Sequence, residues 1–273
     1  MSVDFSRYNR QILFSPFGES GQQKLSESTA VIVGCGALGS NILNLLARAG
    51  VGTIRVVDRD LVELSNLQRQ VLFNEKDVAI GMPKAQAAVE KLQHINSQIS
   101  ITPVVTDFNP TNALELVGEA DVILDGTDNF ETRYLINDVA IHTQTPWVYG
   151  ACVGSYGMSL TVIPNQNTPC LRCVFDTPPP KEHSPTCDTA GVLGPIASVI
   201  ASVQSAEAIK ILSGHLDQTN SNLLHIDVWS GQYRAMKPGP PRPDCPACQE
   251  QDFEFLEGRH TAQTTSLCGR NAV

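Results

Sequence analysis

The chain has 273 residues, 42% of them hydrophobic, which allows one large or two small globular domains with an ordinary core. Its formal net charge of −9 argues against a general nucleic-acid binder, because such affinity comes from lysines and arginines that meet phosphates. No apolar run reaches the roughly 18 residues of a membrane helix, and residues 1–11 lack a signal-peptide core, so we expect a cytoplasmic protein without a membrane partner.

The segment 4–29 precedes the first predicted core strand and carries the sequence RYNRQ at residues 7–11. A helix is predicted at its end, over residues 22–28. Because the segment lies outside the core strands, it is free to contact a neighbouring subunit.

A nucleotide-binding turn follows the first predicted strand, 31–33. Gly34, Gly36 and Gly39 have the G-x-G-x-x-G spacing, which permits a sharp turn, close approach of a phosphate and close packing of the next helix. That helix is predicted over 37–49. A second strand, 53–57, is followed by an acidic residue, Asp58, at the distance where a carboxylate accepts hydrogen bonds from a ribose. Up to this point a nicotinamide-dependent oxidoreductase and an enzyme that uses a mononucleotide fit equally well.

Polar side chains then follow the acidic residue closely: Asp60, Asn66, Arg69 and Gln70. A triphosphate needs several cationic or hydrogen-bonding groups, and a planar guanidinium suits phosphate oxygens, so this cluster favours a triphosphate over a nicotinamide cofactor. Lys84 begins the next predicted helix, where a cation is unfavourable unless an anion is nearby. The alternative is that Arg69 and Lys84 are ordinary surface residues.

The predicted strands 99–107 and 121–124 extend a parallel sheet, and Asp128 and Asn129 follow the second of them. Ligand groups collect at the carboxyl ends of strands in such a sheet, so we expect Asp128 beside the glycine turn. A carboxylate next to a bound triphosphate is a suitable ligand for Mg²⁺. Asp128 is also a candidate N-cap for a helix over 131–143.

The second half of the chain completes the predicted fold. Residues 147–163 have the pattern of strands joined by glycine-containing turns, 190–212 that of an apolar helix and 223–237 that of one or two strands. We therefore predict an α/β protein with a Rossmann-like, doubly wound, mostly parallel sheet that is continued by antiparallel strands.

Two C-x-x-C pairs, Cys170 with Cys173 and Cys245 with Cys248, predict a tetrahedral four-cysteine zinc site. Two residues between thiolates let one turn present both sulfurs to the ion. Such a site has no open position for water, so the zinc would be structural. A redox dithiol is the alternative.

A further cysteine, Cys187, ends the segment 176–187, which contains three consecutive prolines and has no periodic apolar residues. This composition predicts an exposed, mobile loop. Cys187 is therefore a candidate accessible nucleophile, or else an incidental surface thiol.

Taken together, these motifs resemble one family, the ThiF/MoeB/HesA-type adenylyltransferases, which are related to ubiquitin-activating enzymes. The resemblance extends over residues 5–248. Its matching features are residues 7–11, the glycine turn, Asp58 with Asp60, residues 66–70, Lys84, residues 125–129, the two cysteine pairs and residues 187–195.

The resemblance implies MgATP-dependent adenylylation of the C-terminal Gly-Gly of a small ubiquitin-like sulfur carrier protein, by a homodimer. It implies that Asp58 holds the ribose, that Asn66, Arg69 and Lys84 hold the phosphates, and that Asp128 holds Mg²⁺ and orients the attacking carboxylate. Arg10 would reach the triphosphate of the other subunit. The resemblance also implies a sulfurtransferase or a cysteine desulfurase as the sulfur donor.

The domain expected from the resemblance is an adenylyltransferase domain over residues 1–248, followed by a C-terminal tail, 249–273. Residues 264–273 are similar to the end of members in the thiamine pathway, and no sulfurtransferase domain follows, which favours a ThiS-like carrier over the MoaD-like carrier of molybdopterin synthesis. A nicotinamide oxidoreductase and a non-catalytic, zinc-stabilised module that binds a ubiquitin-like partner remain as alternatives.

Overall fold

A computed structural model of the chain describes residues 5–166, 168–178 and 187–260, with the backbone alone at 187 and 188. The described strands are β1 (Thr29–Val33), β2 (Thr53–Val57), β3 (Ser100–Val104), β4 (Val122–Asp125), β5 (Trp147–Val153), β6 (Tyr156–Val162), β7 (Leu223–Asp227) and β8 (Gln232–Met236). They form one sheet in the order β3-β2-β1-β4-β5-β6-β7-β8. The strands from β3 to β5 in this order are parallel, and β6, β7 and β8 are antiparallel to their neighbours. The predicted fold class is confirmed.

Helices connect the parallel strands and cover both faces of the sheet. The described helices are α1 (Asn9–Ile12), α2 (Gly18–Glu27), α3 (Ala37–Ala49), α4 (Glu75–Ala79), α5 (Lys84–Ile95), α6 (Ala113–Val117), α7 (Phe130–Thr143), α8 (Leu171–Val174), α9 (Cys187–Ala190) and α10 (Gly194–Leu212). Short 3₁₀ turns occur at Ser6–Tyr8, Leu64–Asn66 and Leu216–Gln218.

Side chains of successive strand residues point to opposite faces, so the strands divide the core into two layers. Ile32 and Leu124 pack in one layer with α3, α5 and α10, and Val31 and Ile123 pack in the other with α6 and α7. Strands buried on both faces explain why these stretches of sequence are continuously apolar.

The register of the central strands determines where a ligand site can form. Val33, the last residue of β1, pairs with Val57 of β2 and with Asp125 of β4. The three chain segments that follow these strands therefore begin side by side at the carboxyl edge of the sheet. In a doubly wound sheet this edge is where ligands bind.

Most predicted elements are present, with differences at several of their ends. The helix predicted at 22–28 begins at Gly18 and ends at Glu27. The strand predicted at 99–107 ends at Val104, because the backbone turns there and Thr106 N–H donates to the Val104 carbonyl. The side chain of Asn129, not that of Asp128, caps α7. The helix predicted at 190–212 begins at Gly194, because Pro195 occupies its first turn and suits only that position.

The 19-residue helix α10 is long and apolar enough by length and composition to cross a membrane, and 56% of it is buried. It packs against α3, β5 and β6, which is the environment of a core helix. Its apolar composition therefore fits burial inside the fold.

The residues that follow Cys248 also pack against the rest of the domain. Phe253 and Phe255 are buried in the layer that contains α7. Asp138 of α7 accepts hydrogen bonds from the backbone N–H groups of Phe255 and Leu256, at 3.0 and 3.3 Å.

Candidate active site

Three glycines bring the segments at the carboxyl edge into direct backbone contact. Gly34 has φ of +92°, and a Cβ atom there would lie 2.6 Å from the carbonyl oxygen of Gly126. A Cβ atom on Gly39 would collide with the carbonyl of Gly34. Gly36 is the N-cap of α3, so the first-turn N–H groups of this helix, which have no intrahelical partner, lie at the cleft beside the turn.

The cleft has about 1100 Å³ of empty volume, part of it open to solvent, and Asp58 lines it. Its Oδ2 accepts from the backbone N–H of Cys35 at 2.6 Å, and its Oδ1 accepts from that of Asp60 at 2.7 Å. Burial raises the pKa of Asp58, and the charge of Lys84 partly offsets this rise. A carboxylate has about four acceptor positions, so two bonds leave capacity for a sugar hydroxyl.

Lys84 begins α5 and is buried against the two carboxylates of this region. Its Nζ lies 2.7 Å from Oδ2 of Asp60, and its side chain is 4% exposed. Burial lowers the pKa of Lys84, but the charges of Asp58 and Asp60 outweigh this effect and leave the pKa raised. The lysine therefore stays protonated at neutral pH, and these acids explain how a cation is tolerated at a helix N-terminus.

Arg69 and Gln70 line the cleft, whereas Asn66 does not. Arg69 donates to the carbonyl of Ser65 at 2.8 Å and has no ion pair among the described residues. Gln70 is 3% exposed, and its Oε1 has no hydrogen-bond partner among them. Asn66 is buried, and its Oδ1 accepts from the backbone N–H of Glu63. The structure therefore brings two of these three polar side chains to the cleft.

Asp128 and Asn129 line the cleft on the side of β4. Oδ1 of Asn129 accepts from Thr132 N–H at 2.8 Å, which fixes the start of α7. Asp128 is exposed, and its carboxylate has no hydrogen bond or ion pair with the described residues. This carboxylate is therefore available to a ligand.

A buried network that the sequence reasoning missed supports the segment carrying Asp128. Asp125 is fully buried; its Oδ2 lies 3.0 Å from Nε of Arg133, and its Oδ1 accepts from Thr127. Arg133 also donates to the carbonyls of Thr127 and Gly150. Burial raises the pKa of Asp125, and Arg133 lowers it in part.

Gln204 of α10 completes this network from the opposite layer. Its Nε2 donates to the carbonyls of Asp125 and Val148, at 2.8 and 3.1 Å, where β4 and β5 separate. The available sequence signal was a glutamine inside the mainly apolar helix α10; Arg133 lies in α7, which has several other polar residues, and gave no such signal. A buried polar residue of this kind must have a partner, but the sequence alone does not identify it.

The four cysteines of the two C-x-x-C pairs come together, as predicted, at the end of the second layer. Their sulfur atoms all lie within 4.8 Å of one another. The separations are 3.6 Å for Cys170 and Cys245, 3.4 Å for Cys173 and Cys248, and 3.9 Å for Cys170 and Cys173. A tetrahedral zinc with Zn–S bonds of about 2.3 Å requires sulfurs about 3.8 Å apart, so this donor set fits the ion.

One further predicted site residue, Arg10, is not at the cleft, and another, Cys187, has a side chain that the structure does not describe. Arg10 is exposed on α1 and does not line the cleft. The side chain of Cys187 and residues 179–186 of the proline-rich segment lie outside the described residues, as do 261–273 of the tail.

Comparison with known proteins gives three consistent findings. A model of the ThiF family matches residues 8–247. The sulfur carrier protein ThiS adenylyltransferase of Bacillus subtilis (strain 168) is 45% identical over 268 residues, which cover 98% of this chain and 78% of that protein. The adenylyltransferase and sulfurtransferase MOCS3-1 of Zea mays is 40% identical over 257 residues, which cover 92% of this chain and 54% of that protein. The chain therefore spans about half the length of the maize relative.

Among solved structures, the crystal structure of E. coli MccB with ATP matches the fold. The TM-score is 0.77 at 26% sequence identity, and the match covers 90% of this chain and 75% of MccB. The similarity therefore extends over nearly the whole described fold.

Proposed function

Because the chain belongs to the ThiF family, we propose that it uses ATP and Mg²⁺ to adenylylate the C-terminal Gly-Gly carboxylate of a small ubiquitin-like sulfur carrier protein of the ThiS type. The products are an acyl-adenylate and pyrophosphate. The observation that carries this proposal is the 45% identity to a ThiS adenylyltransferase over 98% of the chain. The reaction prepares the carrier for thiocarboxylate formation in thiamine thiazole biosynthesis, in the cytoplasm.

The charges of the cleft support this chemistry. A carboxylate and a triphosphate repel each other, so the main work of the site is to neutralise charge and align the two reactants. Lys84, Arg69 and the first-turn N–H groups of α3 are the donors available for phosphate oxygens. A C-terminal carboxylate is already ionised at neutral pH, so the attack needs no general base.

The order of groups along the carboxyl edge supports one orientation of the nucleotide. The glycine turn follows β1 and Asp58 follows β2, so the phosphates lie at the turn and the ribose at Asp58. Asp128 follows β4, on the opposite side of the turn from Asp58, and we assign the carrier tail to that side. Because its carboxylate has no partner among the described residues, Asp128 fits Mg²⁺, which binds one or two carboxylates together with phosphate oxygens and thereby offsets their charge.

We assign the four-cysteine cluster to a structural zinc ion. All four donors are cysteines, so a tetrahedral ion leaves no position for a reacting water. Four thiolates at these distances would repel one another strongly, and a dication removes that repulsion.

The proposed assembly is a homodimer, and the proposed role of Cys187 is as the nucleophile in sulfur transfer after adenylylation. Exposed Leu13 and Phe14 beside Arg10 support a second copy as the partner of this surface. A sulfurtransferase or a cysteine desulfurase supplies the sulfur. Cys187 acts after the adenylate forms, so adenylylation itself does not need its thiol.

A second candidate is the equivalent reaction on a MoaD-like carrier of molybdopterin synthesis. The 40% identity to the maize MOCS3-1 protein favours it, although that relative is nearly twice as long as the matched region. Membership of an adenylyltransferase family argues against the nicotinamide oxidoreductase.

ATP–pyrophosphate exchange tests these alternatives directly. The enzyme is incubated with labelled pyrophosphate, ATP, Mg²⁺ and either a ThiS-like or a MoaD-like carrier. The matched control is each carrier without its last two glycines. We expect exchange with the intact ThiS-like carrier only. Exchange with the MoaD-like carrier alone would favour the second candidate, and no exchange with either would contradict adenylylation and leave a binding module.

A further inference from the structure

The RYNRQ motif at residues 7–11 is held on its own chain by Tyr8. The Tyr8 hydroxyl accepts from Nδ2 of Asn96 at 2.8 Å, and the same nitrogen donates to the carbonyl of Ala47 at 2.7 Å. Tyr8 is 5% exposed and Asn96 is fully buried. A Cβ atom on Gly50 would lie 2.5 Å from the tyrosine ring, so the ring packs where only glycine fits. Tyr8 therefore has one defined position.

The residues on either side of Tyr8 make further contacts to helix ends. Arg7 donates to the carbonyl of Ile95 at 2.8 Å, and Gln11 donates to the carbonyl of Ala49 at 3.1 Å. Gln11 also donates to Oε1 of Gln22 at 2.7 Å. The last carbonyls of a helix lack intrahelical partners, so these side chains cap α5 and α3 and hold the motif in place.

These contacts place the motif at the far end of both helices from the nucleotide cleft. Ala37 at the start of α3 and Lys84 at the start of α5 line the cleft, whereas the motif contacts residues at their last turns. At a rise of 1.5 Å per residue, the length of α3 separates the two by about 18 Å. An arginine side chain is much shorter than this, so Arg10 cannot reach the cleft of its own chain.

Arg10, unlike Arg7, Tyr8 and Gln11, is not held by the described residues of its own chain. It is exposed and has no hydrogen bond or ion pair with the described residues. Leu13 and Phe14 follow it at helical spacings of three and four residues and are 65% and 63% exposed. A cationic side chain beside two large exposed apolar side chains suits a protein–protein interface. In such an interface the apolar groups pack against the partner and the cation contacts an anion.

We propose that Tyr8 and Asn96 are positioning residues for the active site of a second copy of this chain: they fix the 7–11 segment so that Arg10 enters the partner's cleft and meets the triphosphate. The inference rests on the proposed adenylylation by a homodimer. It adds that the contact between Tyr8 and Asn96, although remote from its own cleft, controls catalysis in the other subunit.

Mixed dimers test this inference, with ATP–pyrophosphate exchange as the readout. Asn96→Ala alone is expected to lower kcat on the order of tenfold with little change in KM for ATP, because a displaced arginine loses transition-state contacts more than ground-state binding. Asn96→Ala chains are then paired with Asp128→Ala chains through different affinity tags. In the mixed dimer the Asn96→Ala chain has an intact cleft and receives Arg10 from a partner whose Tyr8–Asn96 contact is intact.

We expect this mixture to recover the same activity as a mixture of Arg10→Ala with Asp128→Ala. Asp58→Ala with Asp128→Ala is the matched control and should not recover, because both changes affect the cleft of their own chain. If the Asn96→Ala mixture is no more active than Asn96→Ala alone, Asn96 acts within its own chain through α5 and the inference is wrong.

Failure of the proposed function has a different signature. In that case the Arg10→Ala and Asp128→Ala mixture itself does not recover in demonstrably mixed dimers, or the parent protein shows no exchange. If Asn96→Ala does not fold, Tyr8→Phe provides the same test, since it keeps the ring against Gly50 and removes only the hydroxyl that accepts from Asn96. A Tyr8→Phe protein with unchanged kcat would overturn the inference.

Discussion

The nucleotide cleft and the four-cysteine cluster both gather residues that are distant in sequence, but they compensate charge differently. At the cleft, Lys84 pairs with Asp60, and in the buried network behind it Arg133 pairs with Asp125, so each of these charges has a partner from the same chain. In the cluster, the donors are four sulfurs within 4.8 Å of one another, and deprotonation would give them all the same sign.

This difference shows what each region needs from outside. The cleft is organised before any ligand arrives, because its ion pairs and backbone hydrogen bonds are internal. The cluster needs a cation to make its geometry favourable. We therefore expect loss of a cluster ligand to affect folding mainly, and loss of a charge in the cleft to affect both folding and catalysis.

The largest expected effect is on the cluster. Cys245→Ser removes one of four zinc ligands, and we expect loss of one zinc per chain and a destabilisation of about 5 kcal/mol, since metal binding contributes directly to folding. Metal analysis and thermal melting measure the two effects. Cys152→Ser is the control, because it removes a thiol outside the cluster and should leave the zinc content unchanged. A parent protein that is fully stable without metal would contradict this prediction.

The next largest effect is expected from a variant that breaks the buried ion pair of Arg133 and Asp125. Arg133→Met leaves Asp125 buried without its partner, and we expect a loss of about 3 kcal/mol in the free energy of unfolding. Exchange activity should fall as well, because the same arginine holds the backbone before Asp128. Chemical denaturation gives the first quantity. Arg48→Met changes an exposed arginine and is the matched control; equal losses in the two variants would show that the buried pair has no special role.

A smaller effect concerns the buried carboxylate of Asp138 on α7. Burial raises its pKa to about 7, and the N–H groups of Phe255 and Leu256 partly oppose this rise, as does Arg172. In the unfolded chain the carboxyl titrates near pH 4. Its contribution to stability is therefore full below about pH 4 and is lost as the pH rises through about 7.

Between pH 5 and 8 we expect the parent protein to lose about 2 kcal/mol of stability relative to Asp138→Asn, which keeps an acceptor for the two backbone N–H groups. Denaturation of both proteins at the two pH values isolates this group, because all other titrations cancel in the difference. Parallel pH profiles would show that Asp138 is ionised throughout.

The smallest expected effect on adenylylation is that of Cys187→Ser. Charge neutralisation and alignment suffice for adenylate formation, so we expect exchange to change less than about twofold. Thiocarboxylate formation on the carrier, measured by mass spectrometry, should be impaired without necessarily being abolished, because that step needs a nucleophile. A large loss of exchange in a folded variant would assign Cys187 to adenylylation instead.

The fold was accessible from the sequence because its signals are local. A strand of β-branched residues, a glycine turn and a helix with Gly50 at its end predicted the edge at which the cleft forms, and the spacing of Cys170 and Cys173 predicted a metal ligand pair. The partners of buried polar residues could not be predicted from the sequence. Arg133 and Gln204 meet Asp125 only because α7 and α10 cover opposite faces of the sheet. Helix packing of this kind produces no regular spacing of residues from which the contact could be predicted.

The close contact of Gly34, Gly39 and Gly126 also affects how genetic variants of this protein should be interpreted. These glycines touch one another through backbone atoms, so no larger residue can replace them without displacing the turn and the segment after β4 together. An alanine at Gly126 would abolish activity although glycine supplies no functional group there. In a mutational scan, the least tolerant positions will therefore include residues that only permit proximity, and intolerance alone will not distinguish them from residues that bind the substrates.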